Sequence, residues 1–379
     1  MHHFLVSRLY EDVNALASDL IPTGRPATRF SQASPANDSV NLFHMKLFHH
    51  FQTQTIPTLC MGMEIWDQAL QLSFNFEALM QSILCLSARH LSILHPEEPK
   101  YAAAASTHLI RTLSLHRDDL TRDISVTNVD ALMTTAILLH YELWNNVDFV
   151  SLETDGNMSL DLTKDFLFRL SSGTKHVFMN SIRSVFDKPS VYVPYIRFSP
   201  RAVLVKAARI SRKTLEKFQE HFAYDRPLEI SMMSVPLPYI RGNKEGTDLA
   251  GDECWILRAA EMEASDRMTP ECFSLLIIRL CLILSFLPEA QDTPSQPLLD
   301  PEIAAALSRY IFSFPVVCHK PIVSMIRDGD LHVLLLLYHF YRAVRILLVS
   351  DRDWWAQRRA SILEMVLHEH LLQELARAG

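Results

Sequence analysis

Apolar residues recur along most of this chain at three- and four-residue intervals, the spacing that stacks side chains on one side of an α-helix. From Val40 to Gln54 the stripe is Leu42, Phe43, Met45, Leu47, Phe48 and Phe51. Ile65 to Leu72 follows, and then Phe76 to Leu94, where Ala78, Leu79, Ile83, Leu84, Leu86, Leu91 and Leu94 keep helical register. That helix is expected to stop at His95-Pro96, because proline lacks a donor and disfavours helix just before it. Pro99-Lys100-Tyr101 starts another helix, to Leu120, so the two form a helical hairpin. Further helices are expected at Asn128 to Trp144, Asp252 to Met268, Pro270 to Leu287, Leu331 to Val349 and, amphipathic, Ser361 to Leu375, with Pro301 to Phe314 carrying the chain to the C-terminal stretch. The Pro270 to Leu287 helix is apolar nearly all round, which places it in the middle of a domain.

Two stretches break the pattern. Residues 1–40 hold a short helix (Leu5 to Leu20) and then turn Pro-, Ser- and Thr-rich, a composition that suits a flexible linker. Pro227 to Asp252, with Pro236, Pro238, Gly242, Gly246 and Gly251, reads as a long loop or lid. The pattern gives an all-α fold: one large helical domain over 41–379 behind a flexible N-terminal segment, 1–40. Nine glycines in 379 residues agree, since an all-β fold needs many more tight turns.

Charge and cysteine usage narrow the function. A formal charge of -7 leaves no global positive field for a phosphate backbone, so direct nucleic-acid binding by this chain is not expected. Lys206, Arg209, Arg212, Lys213 and Lys217 are spaced to share one solvated helix face. Cys60, Cys85, Cys254, Cys272, Cys281 and Cys318 stand in or beside apolar runs, without a C-x-x-C pair, and read as reduced core residues. Tyr10-Glu11-Asp12 interrupts any secretory h-region. The run Val333 to Val349 carries His339, Arg342 and Arg345, which argues against a transmembrane span and for a buried helix of a soluble protein.

Reactive constellations are sparse. There is no Gly-x-Ser-x-Gly elbow and no glycine-rich phosphate loop, and His368-Glu369-His370 lacks the four-residue spacing of a zincin helix. His44, His49 and His50 read as surface or capping histidines. An all-helical scaffold invites comparison with Mg²⁺-dependent class I terpene cyclases. The candidate Mg²⁺ ligands for that alternative are Asp118, Asp119 and Asp123, and Glu142, Asn145 and Asp148, oxygen donors clustered within a turn or two. Each set sits at a helix end, where carboxylates also serve as caps, and a second ligand set at four-residue spacing is not found. Without that alternative no cofactor is expected.

Apolar volume remains. Met61, Met63, Met232, Met233, Met325, Met365, Phe340, Trp354 and Trp355 supply flexible thioethers and large rings suited to an apolar ligand. Of these, Met325, Phe340, Trp354, Trp355 and Met365 are the candidate ligand-binding residues, since they fall in the segment from Tyr310 to Leu367. There Phe314-Pro315, Pro321, the run Leu331 to Val349 and Asp351-Arg352-Asp353-Trp354-Trp355 follow in order. This order resembles the C-terminal end of the regulatory domain of fungal zinc-cluster transcription factors, the group that includes the sterol uptake regulators. Leu86-Ser87-Ala88-Arg89-His90-Leu91 with Tyr101, Ala105, His108 and Leu113 resembles that domain's first signature, and Asn128 to Trp144 its second. Leu170 to Val177 resembles its leucine-to-glycine turn. Phe314 departs from the group's usual tryptophan before the loop proline. The resemblance covers about residues 40 to 370.

The resemblance implies a ligand-sensing domain in the nucleus or cytoplasm that binds an apolar small molecule, a sterol or another lipid, and acts through a protein partner or a homodimer. It also implies a DNA-binding zinc cluster tethered to such a domain, and this sequence contains none.

Overall fold

The structure is a computed structural model that describes residues 41–152, 158–187, 190–208, 210, 212–234, 270–288, 299–318, 320–349 and 351–378. The expected N-terminal segment, most of the 227–252 loop and the Asp252 to Met268 helix lie outside the described residues.

The all-α expectation is met: apart from one short hairpin, the described elements are helices. In order they are α1 (Leu42–His50), α2 (Met63–Ser73), α3 (Glu77–Leu94), α4 (Pro99–Leu120), α5 (Val129–Asn145), β1 (Val150–Leu152), β2 (Met158–Leu160), α6 (Phe166–Phe186), α7 (Tyr192–Arg197), α8 (Pro200–Ala208) and α9 (Arg212–His221). Then come α10 (Pro270–Leu284), α11 (Pro301–Phe312), α12 (Lys320–Arg327), α13 (Leu331–Leu347) and α14 (Trp354–Ala378). β1 and β2 pair antiparallel, with Ser151 opposite Ser159. The described helices include none long and apolar enough to cross a membrane.

Local chemistry sets the ends. Asn41 caps α1, its side chain accepting from the Phe43 and His44 amides at 3.1 Å. The chain passes from α1 through a π-turn (Phe51–Thr55) to a 3-10 turn that ends the element. His95 closes α3 before Pro96, and Pro99 begins α4 at a position where its missing donor costs nothing. Two expectations need correction. The leucine-to-glycine turn at Leu170 to Val177 is instead continuous helix within α6, because Leu167, Phe168, Ser171, Val177, Ser181 and Val185 are buried along it. That packing outweighs the roughly 1 kcal/mol cost of a mid-helix glycine. The basic cluster does not lie along one helix either: Lys206 belongs to α8, while Lys213 and Lys217 belong to α9.

The chain forms two compact units, the first of residues 1–142 and 180–191 and the second of 143–179 and 192–379. In the first, α3 packs along α4, and α1 lies on α3 through Leu47, Leu84, Ala88, Leu91, Tyr101 and Ala105. Ser87 Oγ donates to the Leu47 carbonyl at 2.6 Å, which fixes the α1–α3 approach. Buried Asp130 accepts from Gln68 at 2.9 Å and from Ser190 at 2.6 Å. In the second, α13 packs on α14 and α10, α10 also meets α9, and α11 meets α8. Here α10 and α13 are buried on nearly every side, as their continuous apolar sequence requires.

Candidate functional site

Within the second unit the C-terminal helices bring aromatic residues together. Phe340 of α13 stacks on Phe314 with ring centres 4.0 Å apart. Trp355, in the first turn of α14, meets Trp144 edge-on at 5.3 Å and Phe312 at 5.2 Å. Trp144 closes the group on Phe340 at 6.1 Å, and its indole N–H donates to the Phe312 carbonyl at 3.3 Å. Offset and edge-on pairs at such distances each add about 0.5–1.5 kcal/mol beyond burial. Of the five candidate ligand-binding residues, Phe340 and Trp355 therefore share one cluster and are fully buried. Trp354 is buried beside Trp355 in sequence, Met325 is half-buried on α12, and Met365 is 46% exposed on α14.

A buried polar network lies in the same unit. The Arg359 guanidinium pairs with Asp165, donates from Nε to the Tyr341 hydroxyl at 3.0 Å and from Nη1 to the Asn146 carbonyl at 2.7 Å. It also lies over the Phe149 ring at 4.8 Å. Every strong donor direction of the guanidinium is used, so the group ties α14 to α13 and to the start of α6.

Arg279 on α10 is different, and sequence reasoning passed over it inside an apolar run. Its Nη2 reaches only Ser313 Oγ, at 3.4 Å, and its guanidinium lies 4.2 Å over the Tyr310 ring. Its Nε, like the Tyr310 hydroxyl, is buried without a hydrogen-bond partner. Burial holds its pKa below the usual arginine range, with the Arg201 charge a minor further cause. Among the described residues no carboxylate lies within ion-pair distance of Arg279 or Arg201. The nearby Cys318 thiol is pushed up to about 12 by burial and so stays neutral. Arg279 as a whole is half-buried, so it is the Nε edge that is shut off from water, and the cation–π contact returns about 0.5–2 kcal/mol of that cost.

The oxygen donors of the cyclase alternative are engaged locally. Asp118 pairs with Arg117 and Asp119 with Arg122, each at 3.1 Å, and Asp123 is exposed. Glu142 is buried against Arg89, whose Nε donates to it at 2.8 Å. Asn145 is buried, and Asp148, exposed, accepts from Asn146 at 3.0 Å. Asp119 also lines a hollow of about 50 Å³ with Phe76, Asn128 and Thr135, and partial burial raises its pKa. That volume holds a few waters. Among the described residues, His95, Glu97 and Glu98 bring three ligand atoms within 4.8 Å of one another, in the exposed α3–α4 connection. Lys100 already neutralises Glu98 there.

The first unit also gathers histidines that the sequence left on the surface. His50 Nε2 lies 3.3 Å from His90 Nδ1, which Thr55 Oγ1 approaches at 3.1 Å. His44 meets His108 edge-on at 5.1 Å, and His49 alone of the first three stays exposed.

No family model matches this chain. The chain is similar to sterol uptake control protein 2 of Saccharomyces cerevisiae, with 36% identity over 128 residues, or 32% of this chain. The match spans only 13% of that protein's length. The likeness gives this chain a region similar to part of a fungal transcription regulator, in keeping with the landmarks read from its sequence.

Proposed function

We propose that this chain is the ligand-sensing and interaction half of a transcription regulator, working in the nucleus on an apolar small molecule of the sterol or lipid class. The observation that carries the reading is the 36% identity over 128 residues to a protein named for control of sterol uptake. The aromatic cluster of Trp144, Phe312, Phe314, Phe340 and Trp355 supports it, because large rings on four helices and a turn are the kind of cluster an apolar guest repacks. In such a device the ligand acts only through its difference in affinity for two arrangements of the domain; a tenfold change in partner binding needs about 1.4 kcal/mol of coupling. The partner is a second copy or another protein, and DNA contact belongs to that assembly.

The test is a reporter in yeast. The chain is fused to a heterologous DNA-binding domain, and transcription is read with sterol synthesis running and then blocked. The expected result is at least a severalfold change that Trp355→Ala removes while the fusion remains at wild-type abundance. A reporter indifferent to sterol supply, with no lipid on the chain in native mass spectra of protein purified from yeast, overturns the reading.

A further inference from the structure

α10 is built almost wholly from buried apolar side chains, Phe273, Leu276, Ile277, Leu280, Cys281, Leu282, Ile283 and Leu284 among them, and Arg279 interrupts that run. A cation in such a helix is expected to meet a carboxylate, as Arg359 of the same unit meets Asp165. Arg279 meets instead a ring face, one long hydroxyl contact and the like charge of Arg201. Two neighbouring polar groups are left over: the Nε–H of Arg279 and the hydroxyl of Tyr310, a residue only 3% exposed. Buried donors in folded proteins are nearly always satisfied, and the exceptions concentrate where something else binds.

We infer that Arg279 and Tyr310 form a receptor for the carboxylate of an otherwise apolar acid. The Nε and Nη edge of a guanidinium matches the two oxygens of one carboxylate, and the Tyr310 hydroxyl adds a third donor. One anionic charge restores neutrality at Arg279 itself. A dianionic phosphate presents more acceptors than these donors serve. Arg279 stands in a helix otherwise built of buried apolar side chains, which favours a hydrocarbon body attached to that head. The inference deepens the sensor reading, on which it rests, by giving the ligand class a polar end: a long-chain carboxylic acid in preference to a neutral alcohol.

The experiment uses the whole chain with palmitate and its matched alcohol, hexadecanol, by native mass spectrometry and thermal shift. Palmitate is expected to bind at least tenfold more tightly than hexadecanol and to raise Tm. Arg279→Met, which keeps the stem and removes the charge, is expected to abolish this preference and, without ligand, to raise Tm by about 2–4 °C, because a half-buried guanidinium with an unsatisfied Nε–H is gone. An arginine serving only the fold gives the opposite sign. Tyr310→Phe, which leaves the cation–π contact in place, is expected to weaken palmitate alone, and it decides the matter if Arg279→Met does not fold. Equal binding of acid and alcohol, no binding of palmitate, or a lower Tm in Arg279→Met with the preference intact overturns the inference. So does stabilisation by acetate or inorganic phosphate equal to that by palmitate, which would mark a small-ion site only. A sterol-responsive reporter with no acid preference sinks this inference and leaves the sensor reading standing; acid preference with a silent reporter does the reverse.

Discussion

Arg359 and Asp165 illustrate what a satisfied buried charge does in this fold. The pair is almost completely buried, and Asp165 also accepts from the Leu167 amide at 3.0 Å, so the carboxylate serves the start of α6 as well as the guanidinium. Arg359→Met is expected to cost about 3–5 kcal/mol in chemical denaturation, since it leaves a buried carboxylate without its cation. Adding Asp165→Asn keeps an acceptor for Leu167 and discharges the site, so the double variant is expected to recover most of that loss. Additive costs in the two single variants would show that the residues act separately. Arg279 is chemically the same side chain in a far more apolar helix, whereas Arg359 stands beside Gln357 and Arg358. Sequence does not show which of the two arginines finds an acid: Arg359 meets one 194 positions away, and among the described residues Arg279 meets none. This is why the anionic site was illegible until the chain was folded.

At the level of elements, the turn between α12 and α13 is the most tightly specified joint. Gly329 adopts φ +75, and the Asp330 amide donates back to the Met325 carbonyl at 2.9 Å while Gly329 bonds to Ile326 at 3.2 Å, which closes α12. Asp330 then opens α13, its carboxylate accepting from the His332 and Val333 amides at 3.0 and 3.1 Å and from the Tyr224 hydroxyl at 3.0 Å. Gly329→Ala is expected to cost about 1 kcal/mol through the left-handed backbone alone, since open space surrounds the position. Asp330→Ala is expected to cost about 1–2 kcal/mol for the lost cap; no change in the denaturation midpoint for either would refute this account of the joint. Elements of this kind were legible. Pro96, Pro99 and the apolar periods placed α3, α4, α5 and α13 to within a few residues, because their signals are local. The β1–β2 hairpin and the continuity of α6 through Gly173 were not, since both depend on what the segment packs against and not on its own propensity. Phe340 and Trp355 were picked out for size and share a cluster through Trp144; Phe314 was marked only as a loop landmark, and Phe312 and Trp144 carry no sign in the sequence that they pack with them.

Across the whole molecule, acid sensitivity is unevenly distributed. In the first unit, burial drives His50, His90, His108 and His116 down to about 4, with nearby His95, Lys46 and His49 acting further on His50, His50 on His90, and His44 and Arg111 on His108. In the second, burial drives His339 down to about 4 and lowers His221. An imidazole whose folded pKa lies below its unfolded value contributes its full stability above about pH 6.5, where both states are neutral. As pH falls from about 6.5 toward 4 the unfolded chain takes up protons that the folded chain refuses, and stability drains away; for a fully buried group such as His116 the loss approaches about 3 kcal/mol. Four such histidines against two among the described residues predict that the unit holding α3 and α4 gives way first. Hydrogen exchange, corrected for intrinsic rates, should show protection in Glu77–Leu120 falling between pH 6.5 and 4.5 before that in Leu331–Leu347. His116→Gln and His90→Gln should each flatten this pH slope whatever they do to stability at pH 7, because glutamine does not titrate. Parallel loss of protection in both segments, or a slope unchanged by both substitutions, would mean that acid unfolding is governed by the carboxylates and not by these buried imidazoles.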